Sequence, residues 1–355
     1  MANTQTIRAA FVKSGGGVEL RQVTRPELEK GSVMVQMKAS GVCGTDLEKL
    51  SGKGITSSIL GHEVSGIVTE SSDDLDLKVG DRVIPHHHVA CNNCDLCRAG
   101  AETMCERFRN SNFVPGGFAD EFLVPAYNVS HGGVHKMSST ITFEEASFAE
   151  PLGCCIRGLN HIGVQGMGVQ ALKNVLVIGA GPIGLLHMDL LRSFAPESNI
   201  VAVDVIPGRL EFAARSEQVT PIDAGKSRDG AFSENALRET EKALGFDLVI
   251  VATGSSKAFA ESLKCVRKSG KILLFGAPQK GSSHMLDLSN LFLNEITVTS
   301  SYSTTELELM KAVDLLEQGK INVRKFVTGK FPLEKIEEAM SSARSEDQVK
   351  VVVTG

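Results

Sequence analysis

A strand, a glycine turn and the start of a helix follow one another in residues 174–184, and this stretch constrains the fold most. Residues 175–178 form an apolar, β-branched run with no polar break, typical of a strand covered by helices on both faces. Gly179, Gly181 and Gly184 then have the spacing G-x-G-x-x-G. This spacing allows a tight turn, close approach of a pyrophosphate and close packing of helix on strand, so it predicts a dinucleotide-binding turn.

A carboxylate in the next apolar run supports the dinucleotide interpretation. The run 200–203 ends in Asp204, twenty positions after Gly184, where a carboxylate would accept the hydroxyls of an adenosine ribose. An ordinary strand-to-helix turn is the alternative explanation of the glycines alone. Asp204 favours NAD over NADP because it would repel a 2′-phosphate, whereas Arg209 is a residue type that can accommodate that phosphate.

Length and composition restrict the class of protein. A chain of 355 residues with 42% hydrophobic and 22% charged residues predicts two globular domains. The net charge of −5, with acidic and basic residues interspersed, argues against a nucleic-acid partner. No apolar run resembles a signal peptide or a membrane span, so we expect a cytoplasmic protein with no membrane partner. Its eight cysteines are then expected to be reduced.

Four of these cysteines are clustered, as Cys91-x2-Cys94-x2-Cys97-x7-Cys105. Such spacing can close a tetrahedral site with four sulfur ligands and no open position, so it predicts a structural zinc. Disulfides and an iron–sulfur cluster are the alternatives. The run His86-His87-His88 comes just before the cluster. We interpret at least two of the three as solvated side chains at a strand end, and only His88 as a candidate for a role.

A second set of candidate metal ligands is more dispersed. Cys43 and the pair His62-Glu63 each lie on glycine-flanked turns, and a thiolate, an imidazole and a carboxylate together suit zinc. Taken singly, a buried cysteine or a core histidine is the commoner explanation. Glu150 lies among apolar neighbours, where an unpaired carboxylate would be costly. It is either a solvated helix charge or the partner of a metal or its water.

Apolar periodicity and turn residues predict the elements around these motifs. Strands are expected before the four cysteines, and an interrupted helix after them; strands and helices alternate from the glycine turn onward, as in a doubly wound parallel sheet. The expected strands are 7–13, 18–23, 31–39, 64–70, 79–84, 175–178, 200–204, 219–222, 247–252, 271–275, 296–302 and 350–353. The expected helices are 143–163, interrupted at Glu150-Pro151, and 182–194, 207–216, 231–244, 257–268, 288–293 and 304–318.

The order of these motifs resembles the zinc-dependent medium-chain dehydrogenase/reductase family, in particular its polyol (sorbitol) and threonine dehydrogenase branch. The resemblance implies an α/β protein with a GroES-like, β-rich catalytic domain formed by residues 1–152 and 303–355. A structural zinc lobe would occupy about 88–110, and residues 153–302 would form a Rossmann NAD-binding domain. It further implies one catalytic and one structural zinc per chain, a cleft between the domains for the catalytic zinc, and a homo-oligomer, either a dimer or a tetramer.

The resemblance also implies roles for individual residues. Cys43, His62 and Glu63 match the catalytic-zinc positions, and Glu150 matches the acidic position that binds the zinc or its water, so two carboxylates are candidates for one ligand. Thr45 matches the hydroxyl that starts the proton relay, whereas Glu48 replaces the histidine that often ends it. Cofactor contacts are implied at Gly179, Gly181, Pro182, Ile183, Gly184, Asp204, Arg209, Thr253, Phe275, Gly276, Ala277, Ser301 and Tyr302.

The implied activity is hydride transfer between NAD and a secondary alcohol of the polyol, sugar or hydroxy-amino-acid type. Zinc would activate the alcohol oxygen as a Lewis acid, and the cofactor would carry the redox chemistry. A simple alcohol dehydrogenase or a sugar 1-dehydrogenase on the same scaffold is the alternative. A nucleic-acid or interaction module fused to an NAD-sensing domain is disfavoured, because no lysine and arginine stripe accompanies the four cysteines.

Overall fold

The computed structural model describes residues 5–51, 59–164, 172–216, 218–227 and 230–355. The chain divides into two compact units, Met1–Gly153 with Ser303–Gly355, and Cys154–Tyr302. Among the described residues, no helix combines the length and the apolar composition that crossing a bilayer requires.

The first unit begins with short strands and short helices, as expected of a β-rich domain punctuated by glycine and proline. Its strands are β1 (Thr6–Val12), β2 (Val18–Thr24), β3 (Val33–Gly41), β4 (Glu63–Ser71), β5 (Arg82–Pro85), β6 (Glu121–Val124) and β7 (Val134–Lys136). Its helices are α1 (Gly44–Leu50), α2 (Asp95–Arg98), α3 (Glu106–Asn110), α4 (Ala126–Ser130) and α5 (Phe143–Ala146). Helix α6 (Ala149–His161) then leads into the second unit.

The second unit is a parallel sheet whose strands are connected mainly by helices. Its elements are β8 (Asn174–Ile178), α7 (Pro182–Phe194), β9 (Asn199–Asp204), α8 (Pro207–Ala214), β10 (Val219–Asp223), α9 (Ser233–Arg238), β11 (Phe246–Val251), α10 (Ser256–Cys265), β12 (Val266–Leu274), α11 (Leu288–Leu293) and β13 (Thr297–Ser300). The strand order is β10-β9-β8-β11-β12-β13, which confirms the predicted doubly wound sheet. Ligands of such sheets bind at the carboxyl ends of the strands, beside the point where the order reverses.

The chain then returns to the first unit through α12 (Glu306–Glu317), β14 (Val327–Pro332), α13 (Ile336–Ser342) and β15 (Lys350–Thr354). The large sheet of that unit has the order β14-β15-β3-β4-β5-β7, and β6 also pairs with β3. Strand β15 is antiparallel to β3, with Val352 opposite Gly41. Gly41 in turn lies opposite Glu63 of β4. This register brings the end of the chain beside the His62-Glu63 turn.

Each unit has its own apolar core. In the first unit, Met37, Phe113 and Phe122 are fully buried among strands and α13. In the second, Val201 and Val249 lie in the core around the central strands. Parallel strands covered on both faces require such continuous apolar runs, and the sequence has them.

Two predicted helices differ most from the observed ones; a third, predicted at 257–268, ends at Cys265 because β12 begins at Val266. The predicted helix 143–163 is two helices, separated at residues 147–148 rather than at Glu150-Pro151. Pro151 is the third residue of α6, where a missing N–H costs no helical hydrogen bond. The predicted helix 231–244 ends at Arg238, and a short 3₁₀ turn follows in which Lys242 has φ 55°. A left-handed residue interrupts a helix, so propensity alone overestimated its length.

Candidate functional site

The four clustered cysteines come together in a small lobe. Their sulfur atoms all lie within 4.8 Å of one another, with 3.9 Å between Cys91 and Cys97 and 3.5 Å between Cys94 and Cys97. Zn–S bonds of about 2.3 Å in a tetrahedron put sulfurs about 3.8 Å apart, whereas a disulfide needs about 2 Å. The geometry therefore fits a four-sulfur zinc site.

The local backbone favours the thiolate form of Cys91, whereas burial disfavours the thiolate form of Cys97. The N–H groups of Asn93 and Cys94 lower the pKa of Cys91 to about 6. Burial raises the pKa of Cys97 to about 12. A metal ion bound here would deprotonate its sulfur ligands, the buried Cys97 included.

A second cluster combines the predicted ligands of the dispersed set. One ligand atom from each of Cys43, His62 and Glu63 lies within 4.8 Å of the other two. Cys43 is the N-cap of α1, and Glu63 is the first residue of β4, directly after His62. Among the described residues the cluster does not include Glu150, which lies 9% exposed in the first turn of α6. Thr45 is exposed on α1, as is Glu48.

Asp46 holds the two turns of this cluster together, and we did not assign it a role from the sequence. It is fully buried, and its carboxylate accepts hydrogen bonds from the N–H of Cys43 (3.2 Å) and of Gly61 (3.1 Å). One carboxylate oxygen also lies 3.6 Å from Nδ1 of His62. A carboxylate behind a histidine is the usual second partner of a metal-binding imidazole. The spacing Cys-x2-Asp, a helix-capping pattern, was the available signal.

Charges around the cluster favour a cation. Burial raises the pKa of a carboxyl group, yet the neighbouring imidazole of His62 holds the pKa of Asp46 below its usual value. Burial lowers the pKa of an imidazole, yet Asp46 and Cys43 raise the pKa of His62 well above its usual value. The protein thus stabilises positive charge where a zinc ion would bind.

A buried lysine contacts Glu63, although no sequence pattern indicated this contact. Lys350, the first residue of β15, is 4% exposed and forms an ion pair with Glu63, itself 2% exposed. Burial lowers the pKa of an amine, but the charges of Glu63, Cys43 and Glu150 outweigh this and raise the pKa of Lys350. Gly41 makes room, because a Cβ there would lie 2.1 Å from the Glu63 carboxylate.

The three consecutive histidines are not solvated, so that prediction was wrong. His86 is fully buried, His87 is 7% exposed and His88 is half-buried. The segment leaves β5 and runs directly into the cysteine lobe, where the rings of His86 and His88 pack against Phe108. Three consecutive polar residues at a strand end are exposed to solvent only when no other element packs on them. Here the cysteine lobe packs on them.

The glycine turn of the second unit has the features that a pyrophosphate requires. Gly179 has φ 101°, and a Cβ on Gly184 would lie 1.8 Å from the carbonyl oxygen of Gly179. Gly181, by contrast, has open space: the nearest atom to a Cβ there is Nη1 of Arg209, at 3.9 Å. Helix α7 begins here, with Pro182 and Ile183 in its first turn. Its free N–H groups suit an anion.

Asp204 ends β9 beside this turn. Its carboxylate accepts hydrogen bonds from the N–H groups of Ala180 (2.7 Å), Val205 (2.7 Å) and Ile206 (3.0 Å), and it is 8% exposed. These donors fix its orientation and leave lone pairs for ribose hydroxyls. The expected cofactor residues therefore lie along one edge of the sheet at β8 and β9.

The other predicted cofactor residues follow the next strands at the same edge. Thr253 and Gly276 approach so closely that a Cβ on Gly276 would lie 2.3 Å from the Thr253 backbone. Phe275 packs edge-on against the buried ring of His187, and Ala277 follows this strand end. Ser301 and Tyr302 follow β13, with Tyr302 48% exposed.

Two family models match the chain. Residues 29–134 match the alcohol dehydrogenase GroES-like domain, and residues 182–318 match the zinc-binding dehydrogenase domain. The chain is 30% identical to a probable D-xylulose reductase A of Aspergillus terreus. The alignment spans 342 residues and covers 93% of each protein.

Solved structures with the same fold cover nearly the whole chain. The alcohol dehydrogenase TADH from Thermus sp. ATN1 is 27% identical, with a TM-score of 0.83 over 98% of this chain and 99% of that one. A protein from Sinorhizobium meliloti 1021, solved with bound NADP, has a TM-score of 0.86 at 24% identity, covering 99% of this chain and 100% of the other. The second likeness establishes the fold alone.

Proposed function

Because this chain belongs to the zinc-dependent medium-chain dehydrogenase family, we propose that it is an NAD-linked dehydrogenase of polyols. It is an oxidoreductase of CH–OH donors, as are the relatives described above. The observation that carries the proposal is the approach of Cys43 and His62, with the carboxylate of Glu63 beside them, because a thiolate and an imidazole together suit a zinc that keeps an open position. The xylulose reductase relative supports the choice of a polyol rather than a monoalcohol.

For the catalytic zinc we propose Cys43, His62 and Glu150 as ligands, with Glu63 in the outer sphere. Glu63 lies nearer to the other two, but Lys350 already neutralises it. The anionic groups Cys43, Asp46, Glu63 and Glu150, less the ammonium of Lys350, leave three negative charges, an excess that a divalent cation would largely compensate. The second zinc is proposed for Cys91, Cys94, Cys97 and Cys105.

The residues of the chain prepare the reaction by position and by proton transfer. When bound, the catalytic zinc supplies Lewis-acid activation of the substrate oxygen. Asp46 fixes the ring of His62 and the start of α1. The hydroxyl of Thr45, exposed on that helix, would accept the substrate's hydroxyl proton and pass it to solvent. The glycine turn and Asp204 would bind the pyrophosphate and the adenosine ribose of the dinucleotide, which would supply the hydride acceptor.

The function and the cofactor preference are tested together by steady-state kinetics. NADH formation is measured for a panel of polyols, aldoses and monoalcohols, with NAD and with NADP. We expect polyols to have the highest kcat/KM, and NAD to exceed NADP by roughly tenfold or more, because Asp204 would face the 2′-phosphate with a like charge. Asp204→Ser should lower the ratio of kcat/KM with NAD to kcat/KM with NADP, because it removes the like charge.

Two results would contradict these proposals. Preference for an aldose or a monoalcohol would identify a sugar 1-dehydrogenase or a simple alcohol dehydrogenase. A higher kcat/KM with NADP, the nucleotide bound to the Sinorhizobium protein, would instead assign Arg209 to the 2′-phosphate.

We also propose that two copies of the chain associate through the α11–β13 face, consisting of residues 285–300. None of the residues of α11 is buried. Met285 is 91% exposed, Phe292 83% and Leu293 73%. Strand β13 ends the sheet, and no other strand of the described residues pairs with its outer edge. An apolar patch beside an unpaired strand edge suits a self-complementary partner related by a twofold axis. A tetramer would then consist of two such dimers.

Leu293→Asp should disrupt this association, because it places a charge in the apolar face. Sedimentation is expected to show a species near the 37.9-kDa monomer for the variant and a larger one for the wild type. Leu244→Asp is the matched control, since Leu244 is 68% exposed but lies outside the face. A wild-type monomer, or equal behaviour of the two variants, would contradict the proposal.

A further inference from the structure

One histidine of the second unit is buried without a hydrogen bond. His187 lies on α7 and is fully buried. Both of its ring nitrogens lack a hydrogen-bond partner among the described residues. Burial lowers the pKa of His187 to about 3, so the imidazole is neutral and does not serve as a charge. An apolar side chain in this place would leave no polar atom unsatisfied, so the presence of an imidazole calls for an explanation.

The ring of His187 contacts the ring of Phe275. The two ring centres lie 4.7 Å apart and the ring planes meet at 88°, which is an edge-to-face arrangement. Phe275 directly follows β12 and is half-buried, so part of its surface remains accessible at the carboxyl edge of the parallel sheet. His187 therefore acts as a flat aromatic ring that packs behind a residue of that edge.

Phe275 is also held by two other elements. Its N–H donates to the carbonyl of Val251 on β11 (3.1 Å), as does the N–H of Gly276 (2.8 Å). A Cβ on Gly158 of α6 would lie 3.1 Å from two ring carbons of Phe275, so the ring packs directly on the backbone of that helix. The backbone and the ring of Phe275 are thus both fixed, as a binding residue requires to keep its productive geometry.

The position of Phe275 in the sheet corresponds to one half of a dinucleotide. In a doubly wound sheet each set of three strands binds one mononucleotide half, and the dinucleotide crosses the point where the strand order reverses. Asp204 ends β9 in the set β10-β9-β8, where the adenosine half is proposed to bind. Phe275 follows β12 in the set β11-β12-β13, so it lies where the nicotinamide half would bind.

We propose that His187 is a positioning residue for the nicotinamide half of the cofactor, because it orients the Phe275 ring against which that half binds. The inference rests on the proposed NAD-linked function. His187 is fully buried, so it acts through Phe275 and does not touch the cofactor itself. Without the imidazole, the Phe275 ring is free to shift, and the nicotinamide half loses a fixed contact that the adenosine half does not use.

The test compares the binding of NADH with that of ADP-ribose, which has the adenosine, the pyrophosphate and the second ribose but lacks the nicotinamide. Fluorescence titration measures NADH, and calorimetry measures ADP-ribose. His187→Leu should raise the Kd of NADH about 3- to 10-fold, the contribution of an edge-to-face ring pair, and change the Kd of ADP-ribose less than about twofold. His187→Phe restores an aromatic pair and should recover most of the NADH affinity.

A second variant reaches the same ring from another helix. The methyl group of Gly158→Ala would displace the ring of Phe275, so this variant should also weaken NADH selectively, and it decides the question if His187→Leu does not fold. Met188→Leu is the matched control, since Met188 is equally buried and follows His187 on α7. It should leave both dissociation constants within about twofold of the wild type.

Two results would overturn the inference and leave the NAD-linked function standing. One is an equal weakening of NADH and ADP-ribose in the folded variants, and the other is unchanged NADH binding in both His187→Leu and Gly158→Ala. A wild type that binds neither NADH nor ADP-ribose overturns the proposed function, and this inference with it.

Discussion

Replacing Cys97 by serine is expected to remove one zinc per chain and to destabilise the first unit by at least about 3 kcal/mol. Cys97 is 8% exposed, and its sulfur lies 3.5 Å from that of Cys94 and 3.9 Å from that of Cys91. The lobe has a small apolar core consisting mainly of Ala90, Phe108 and the cysteines themselves. Metal binding must therefore supply most of its folding free energy. Elemental analysis and thermal unfolding measure the two effects.

Cys265→Ser is the matched control for this prediction. Cys265 is also a fully buried free cysteine, but it lies in the core of the second unit. That variant should keep its zinc, whatever packing energy it loses. Full zinc content with an unchanged thermal midpoint in Cys97→Ser would reject the structural zinc.

The sequence predicted the fold well where local pattern and tertiary environment agree. The apolar runs at β8, β9 and β11 are buried on both faces, so composition alone reveals them. The glycine turn is similarly local, because the close approach of Gly184 to Gly179 spans one turn. The prediction of an α/β protein with a parallel sheet and a GroES-like domain is confirmed. The two helix errors arose where one residue, Pro151 or Lys242, decides a boundary that periodicity does not resolve.

The site was only partly predictable, for a different reason. The spacing of the four lobe cysteines predicts metal binding by itself, whereas Cys43 and His62 predict it only as a set with Glu63. Lys350 does not, because a lysine in a final strand is usually exposed; only the pairing of β15 with β3 brings it to Glu63. The burial of His86 and His87 likewise depends on Phe108 and Asn128, at distant positions in the chain. Contacts between distant segments leave no periodic signal.

Cys43→Ala is expected to reduce turnover about 1,000-fold or more, since a lost zinc ligand removes several kcal/mol of transition-state stabilisation. NADH binding should remain, because the glycine turn and Asp204 belong to the second unit, and Cys43 to the first. The four-cysteine lobe should keep its zinc, since none of its ligands is changed. Turnover, NADH fluorescence and metal content therefore give three separate readouts. Wild-type turnover would mean that the chain has kept the fold of its family without the zinc chemistry.

The two carboxylates are then distinguished by the same measurements on Glu150→Gln and Glu63→Gln. If Glu150 is the ligand, its replacement should lose the catalytic zinc and impair turnover more than folding. Glu63→Gln should keep more of that zinc, but it leaves the ammonium of Lys350 buried without its partner, which is strongly destabilising. The double variant Glu63→Gln/Lys350→Met removes both charges and should recover stability. If the double variant loses the catalytic zinc and Glu150→Gln keeps it, Glu63 is the zinc ligand and Glu150 is the outer-sphere carboxylate. The outcome decides whether Lys350 serves to keep Glu63 from the metal or to hold it in place as a ligand.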